Sequence, residues 1–490
     1  MSDRKIKLEM QQELQEAKRK ENEKNYIDYC ASHNKKPMSR RDLLGAGLIS
    51  FSATMTLPTL AGMMIPSTAR AQSAECPSSV AGASMASFVT LNLAGGAAMG
   101  ANYVPMNAAG TPIASYNKMG MGDNQVPLDL EFGNVPFAGN GISKLLTEIR
   151  ANATPATLGN TAFVAIPVRS RDDFGMNPLD ISGLVAKAGL IGTDLPNMGR
   201  RASDTGINQM YAKVKPPTPL VVGNYTDIAG ALSLGVNGPL SNLDDSQKIS
   251  LLKLVSRLSE SQVNKVNANA GGRMLANLVS CALGKNVTLS EQPAPVVDVR
   301  QDASLAAVWG AAGQNDNNEN VIFGSMVNAG LLGKAGSVSL EKGGYDYHNN
   351  TRTTGDTRDG QAGAIIGKIL ESASVLNKKV FIYVTSDGSV VSPVSAQRDA
   401  PWRSDRGSAG LAYIIAYDPA GRPATSGFQV GQFTDGQAAD DTFVTGGNPE
   451  LAASAAFANY LQFNNRMDLI TPVLGSTFST SQLNQVVKFG

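Results

Sequence analysis

The sequence predicts an α/β protein built on a largely parallel sheet covered by helices. Three observations predict it. Apolar runs of strand length recur, bounded by Gly, Pro and Asn. Segments with helical spacing lie between them, and strands alternating with helices form parallel sheets. Several runs are apolar on both faces, as central strands under two helical layers are. A hydrophobic content of 42% argues against disorder, and 50 glycines argue for many tight turns.

Taken in order, "SFVTLNLAGG" (87–96) has the length and β-branching of a strand ending in a tight turn. The runs "NTAFVAIPV" (160–168), "AGSVSLE" (335–341), "KKVFIYVTSDGS" (378–389) and "AGLAYIIAYD" (409–418) have the same character. Helices are expected at 141–151, 318–332 and 360–377, with two more within 245–280. The block from about 190 to 290 has no obvious strand and is expected to form a helical cap or insertion. There is no internal repeat of fixed period.

The N-terminus predicts export. A charged leader is followed by "MSRRDLLGAGL" (38–48), with the pair Arg40–Arg41, then a mildly apolar stretch to about Ile65. Ala69-Arg70-Ala71 makes a small-residue cleavage site before Gln72. The twin arginines make residues 1–71 look like a Tat signal, which predicts a mature body of 72–490, a single large domain in the periplasm or secreted, with the Tat export machinery as its first partner; the alternative is an uncleaved N-terminal membrane anchor or a chance pair of arginines. The leader carries 12 of the 42 basic and 8 of the 41 acidic residues, so the body has a net charge of −3. That leaves no electrostatic footprint for nucleic acid. No later segment has the length and apolarity of a membrane span. Cys30 lies in the leader; Cys76 and Cys281 could form one disulfide in an oxidising compartment or stay as two thiols.

Ligands of such sheets sit beyond the carboxyl ends of the strands. That rule selects "AGGAAMGAN" after the first strand, "RSRDDFG" (169–175), "KGGYDYHNN" (342–350), "TSDGS" (385–389) and "WRSDRGS" (402–408) before the last strand. Asp346, His348, Asp387 and Asp405 all fall in these loops. Asp346 and His348, two apart, share one side of an extended chain. They form either a metal or anion site or a hydrogen-bonded pair in which the carboxylate orients the imidazole. Asp387 and Asp405 are candidate ligands or turn-forming and capping residues. Arg403 and Arg406 suit a phosphate or sulfate group, or an ion pair with Asp405 or Asp399. "QNDNNEN" (314–320) and "QAADD" (437–441) lack EF-hand spacing, and nothing resembles a P-loop or dinucleotide fingerprint.

The layout resembles the Tat-exported domain of unknown function 1501 family, related to the alkaline phosphatase and sulfatase superfamily. The resemblance is carried by the twin-arginine signal, "FVTLNLAGGAAMGANYVP" (88–105) and "NTAFVAIPVRSRDDF" (160–174). It continues in "GGYDYHNN", "VFIYVTSDGS" (380–389) and "SDRGSAGLAYIIAYDPAGRP" (404–423). It implies an alkaline-phosphatase-like fold and, in a working enzyme, a two-metal site that cleaves phosphate or sulfate esters. The family's D-x-H is intact as Asp346 and His348. Other family positions differ. The turn Gly95–Gly100 lacks its acidic residue, and Ser170 is followed by Arg171. Asp359 and Gly360 stand where a histidine usually opens the next helix, and the late Asp-His-Gly reads Asp405-Arg406-Gly407. Ser386, Asp387 and Gly388 lack the superfamily's strand-end histidine.

The whole chain has two histidines, and His33 lies in the leader. One imidazole does not supply a pair of zinc sites. Three carboxylates and one imidazole suit at most one harder ion, Ca²⁺, Mg²⁺ or Mn²⁺. Arg406 in a ligand position can replace a cation by pairing with Asp387 or Asp346. The expectation is a periplasmic sulfatase/phosphatase-like scaffold, reduced or lost in catalysis, that binds a periplasmic protein or an anionic small molecule. The alternative is a single-ion ester hydrolase.

Overall fold

The computed structural model describes residues 85–97, 99–113, 127–133, 135–169, 179–190, 192, 195–200, 220–232, 296–347, 352–386, 389–391, 404–405 and 409–490, with isolated positions 247 and 250. The leader, with Arg40, Arg41, Ala69 and Ala71, lies outside these residues. So do Cys76, Cys281, His348, Asp387, Arg403 and Arg406, and most of the expected cap.

Alternation along the first strand decides the layering. In β1 (Ser87–Ala94), Val89, Leu91 and Leu93 enter one core while Phe88 enters another. Successive strand side chains point to opposite faces, so one buried strand needs cover on both. The first core is closed by α1 (Lys144–Asn152), α5 (Ala303–Trp309), α6 (Glu319–Leu331) and α7 (Arg352–Val375). The second is closed by α3 (Ser182–Lys187), α8 (Pro449–Phe463), α9 (Ile470–Leu474) and α10 (Thr480–Val486). Two short helices, α2 (Pro155–Gly159) and α4 (Tyr225–Leu232), pack on the first core. The result is an α/β/α arrangement.

The sheet has seven strands. Besides β1 they are β2 (Thr161–Pro167), β3 (Met198–Gly199), β4 (Leu220–Val221), β5 (Ser337–Gly343), β6 (Val380–Ser386) and β7 (Leu411–Tyr417). Their order is β2-β7-β6-β1-β5-β3-β4. Pairs β6–β1–β5–β3–β4 are parallel, and β7 runs antiparallel between β2 and β6. The expected strands are all present, and the sheet is mixed but mostly parallel. Met198–Gly199 and Leu220–Val221 were not expected as strands: they add to the sheet edge from within the segment read as strandless. Two residues are too few to show a period.

The reversed strand matters for position. Leu411 lies opposite Pro167 and Tyr413 opposite Val384, so the chain entering β7 arrives where β2 and β6 end. Ala94 lies opposite Gly343, and Leu93 opposite Ser386. The described strand ends that lead into or out of the loops selected by the strand-end rule therefore lie at one edge of the sheet.

Helix α7 begins at Arg352, earlier than expected. It packs closely on α1. A Cβ on Gly363 would lie 2.2 Å from the Leu145 carbonyl oxygen, and one on Gly367 would lie 2.8 Å from the Asn152 Cβ. Only hydrogen at these positions permits that separation of the two backbones.

Candidate functional site

The turn after β5 is built on alternation continued past the strand. Tyr345 and Tyr347 are fully buried in the first core, and Asp346 between them is exposed. The tyrosine hydroxyls are satisfied inside, as buried phenols require. Tyr345 donates to the Arg358 carbonyl at 2.6 Å, and Tyr347 donates to Asp359 Oδ1 at 3.0 Å. The backbone is pinned too: the Tyr345 amide donates to the Ala94 carbonyl at 3.1 Å, and the Tyr347 amide to the Tyr345 carbonyl at 3.0 Å.

Gly95 completes the seat. Its φ is +131°, and a Cβ there would fall 2.2 Å from the Asp346 nitrogen and 2.7 Å from the Tyr345 carbonyl carbon. The glycine-rich turn after β1 is thus in backbone contact with the Asp346 turn. The same turn is tied to the end of β6: the Ala97 amide donates to Ser386 Oγ at 2.9 Å, and Ser386 Oγ donates to the Leu93 carbonyl at 2.9 Å. The chain beyond β6 pairs with the chain before β7, Val390 opposite Asp405 and Val391 opposite Ser404. The Arg169 amide after β2 donates to the Gly446 carbonyl at 2.8 Å. The backbones of the Asp346, Ser386 and Asp405 segments are therefore joined at one edge. Asp346 is the candidate ligand whose side chain is described; Asp405 is placed by its backbone alone.

Behind this edge sits a buried carboxyl. Asp359 on α7 is 4% exposed. Besides Tyr347, it accepts from Asn102 Nδ2 at 2.7 Å on Oδ2. Asn102 Oδ1 in turn accepts from Ser143 Oγ at 3.0 Å and the Leu145 amide at 3.2 Å, at the start of α1. Ser143 Oγ caps that helix by accepting from the Leu146 amide at 3.1 Å. Burial pushes the Asp359 carboxyl up to about 7, against the lowering pull of the Asn102 and Tyr347 hydrogen bonds and the Arg352 charge. Asp359 was noted in the sequence only as a substitution for a histidine; its partner Asn102, 257 positions away, left no local signal.

A second feature was not anticipated. On the α3 and α8 side, the central strands carry a stripe of polar residues. In register across the sheet, Thr90 stands beside Ser339 and Tyr383, and Asn92 beside Glu341 and Thr385. All are buried. Ser182 Oγ and Ser339 Oγ lie 3.0 Å apart, and Asp180 Oδ1 accepts from the Ser182 amide at 2.7 Å. Thr90 Oγ1 and the Tyr383 hydroxyl find no hydrogen-bond partner among the described residues. Several of the sequence runs were read as apolar on both faces; "SFVTLNLA" and "SVSLEKG" alternate instead.

A cleft of about 280 Å³ opens at the opposite edge, among Ser87, Gly330, Leu332, Lys378 and Tyr460. It lies away from the strand-end loops, and helix C-termini form much of its wall.

The donor set decides what the strand-end edge could hold. One exposed carboxylate from the described residues, with His348, Asp387 and Asp405 as the other candidates, matches the oxygen preference of a hard divalent ion. It does not match the imidazole- or thiolate-rich shell of paired zinc ions. Among the described residues, no group of three His, Cys, Asp or Glu side chains is placed to hold a metal. Among the same residues, no helix is long and apolar enough to cross a membrane. Compared with known proteins, the chain matches no family model and no curated protein.

Proposed function

We propose that the protein is a Tat-exported, alkaline-phosphatase-like scaffold whose ester-cleaving chemistry is reduced or lost, and which acts by binding at the carboxyl edge of its sheet. The observation that carries this reading is Asp359. The family resemblance puts a histidine at the opening of this helix; here α7 opens at Arg352, and Asp359, further along it, spends both carboxyl oxygens on Tyr347 and Asn102 inside the core. A side chain engaged that way holds the fold and does not reach a ligand. The histidine count supports the same conclusion, since His348 is the sole imidazole after the leader. The occupant of the edge is an anionic group or a partner's acidic segment met by Arg403 and Arg406, with one hard ion at most beside Asp346 and His348.

The single-ion hydrolase remains a specific second reading, because Asp346 is exposed beside its intact D-x-H partner in sequence. In that case the ion would polarise the ester oxygen, and Asp346 and His348 would hold it.

Elemental analysis of the mature protein recovered after export, combined with a panel of phosphate and sulfate esters, separates the two. The expected result is less than one bound metal per chain and no turnover above the Asp346→Asn/His348→Ala double variant. A stoichiometric ion, lost in that variant together with measurable turnover, would replace the binding reading with the hydrolase.

A further inference from the structure

We infer that Asp359 is a positioning residue for the Asp346–His348 turn: it holds Tyr347 from inside the core, and its proton sets the direction of that hydrogen bond, so the turn responds to pH. This rests on the reading that the turn belongs to a binding site.

Asn102 cannot reorient, because its Oδ1 already accepts from the Leu145 amide and Ser143 Oγ. Its Nδ2 must therefore donate to Asp359 Oδ2. Of its two described side-chain partners, Asn102 Nδ2 can only donate, so the Tyr347 hydroxyl oxygen, whose proton Oδ1 now accepts, is the one able to accept a proton from the carboxyl. Two donors cannot face each other. On protonation the carboxyl becomes the donor, and the Tyr347 hydroxyl must turn to accept. Tyr347 is fully buried and adjoins Asp346, so this reversal acts directly behind the exposed carboxylate.

The surrounding groups are accounted for. From the turn, Tyr345 faces Asp359 but donates to the Arg358 carbonyl. From β7, Tyr413 lies within electrostatic range and donates to the Met99 carbonyl at 2.8 Å. On its own helix, Arg352 pairs with Asp356 at 2.7 Å; the Arg352 charge lowers the Asp359 pKa and the Asp356 charge raises it, both less than burial does. From α1, Glu148 lies against the neighbouring Gly360. Burial then places the titration near neutrality.

The test is hydrogen exchange read by mass spectrometry on peptides covering 343–351 of the mature protein, from pH 5.5 to 8.5, corrected for intrinsic exchange. Wild type should show a step in protection of about five- to tenfold centred near neutrality, the effect of exchanging one hydrogen bond. Asp359→Asn should abolish the step. Tyr347→Phe should abolish it too, while the pH slope of global stability remains, because Asp359 still titrates. A residue with a merely structural role would change overall protection in both variants and leave the pH profile unchanged. A step that persists in Asp359→Asn, or a flat wild-type profile, overturns the inference. Titration with Mn²⁺ alone and with inorganic phosphate alone tests the binding reading separately. If neither binds at any pH while the exchange step behaves as stated, the binding reading fails and the positioning role stands. If either binds, its wild-type affinity should follow the same pH step, and a pH-independent affinity overturns the coupling.

Discussion

Replacing Gly95 by alanine is the sharpest probe of whether the strand-end loops are assembled as described. The perturbation is one methyl group. At Gly95 the backbone has φ +131°, a conformation side chains avoid at about 1–3 kcal/mol. The new Cβ would sit 2.2 Å from the Asp346 nitrogen, so the Asp346 turn must retreat by more than an ångström to reach ordinary contact. That movement strains or breaks the Tyr345 amide bond to the Ala94 carbonyl, worth about 1 kcal/mol, and disturbs the packing of Tyr345 and Tyr347 at a similar cost. The combined effect is on the order of 4 kcal/mol. Unfolding entropy of about 2.1 cal/mol/K per residue over roughly 420 residues converts this to a Tm about 4–5 °C lower. Gly110→Ala is the control: its φ is +72°, yet a Cβ there meets nothing within 4 Å, so only about 1 kcal/mol of backbone cost is expected. Scanning calorimetry of both variants reads the difference. If Gly95→Ala melts within about 1 °C of Gly110→Ala, the two turns are not in contact and the assembled edge is wrong.

Three further outcomes follow from the same geometry. Asp359 has its folded pKa raised to about 7 from an ordinary 3.8, so its ionisation opposes folding: its own contribution to stability should be greatest below about pH 4, fall as pH rises towards 7, and level off above. Three units at about 1.36 kcal/mol each cap the loss at about 4 kcal/mol, and urea titrations from pH 4 to 8 should lose this component in Asp359→Asn. Tyr383→Phe should be neutral or up to about 1 kcal/mol stabilising, because its buried hydroxyl has no described partner, whereas Tyr347→Phe at pH 8 should cost about 1–3 kcal/mol; chemical denaturation of the pair reads the contrast. Gly363→Ala should destabilise by about 2–4 kcal/mol by forcing α7 away from α1, and an unchanged denaturation midpoint would contradict the close helix contact.

The five long strands were legible because their apolar, β-branched runs are long and sharply bounded; β2 and β7 sit within a residue or two of their expected positions, whereas two-residue β3 and β4 were not legible. The gathering of the loops was legible from the strand-end rule, although the reversal of β7, which brings Asp405 to that edge, was not. The early start of α7 was hidden by "NNTRTTGDTRDG", a poor helix by propensity. It is held instead by tertiary contacts: Arg352, Gly355 and Asp359 are buried, and Arg352 pairs with Asp356 four residues on. The polar stripe was present in the letters, as Thr90 and Asn92 alternate with Leu91 and Leu93. Its meaning depended on knowing that neighbouring strands place Ser339, Tyr383 and Glu341 in the same rows. Asp359 was invisible as a core residue because Asn102 lies 257 positions away.

The supports of the Asp346 turn lie on the side away from its exposed carboxylate. Tyr345 and Tyr347 anchor it by burial and hydroxyl bonds, Gly95 lets the neighbouring turn close on it, and Asp359 with Asn102 ties it to α1. None of these contacts needs an ion. They lie on the inward side of an alternating segment, whereas Asp346 lies on the outward side. Period-two alternation therefore separates the residues that hold the turn from those that would meet a ligand. A substitution on the outward side leaves the inward anchors intact, at the fraction of a kcal/mol usual for exposed positions. A substitution on the inward side removes a buried hydrogen bond or opens a cavity, at several kcal/mol. Substitutions at the outward positions of such an edge therefore leave its framework in place.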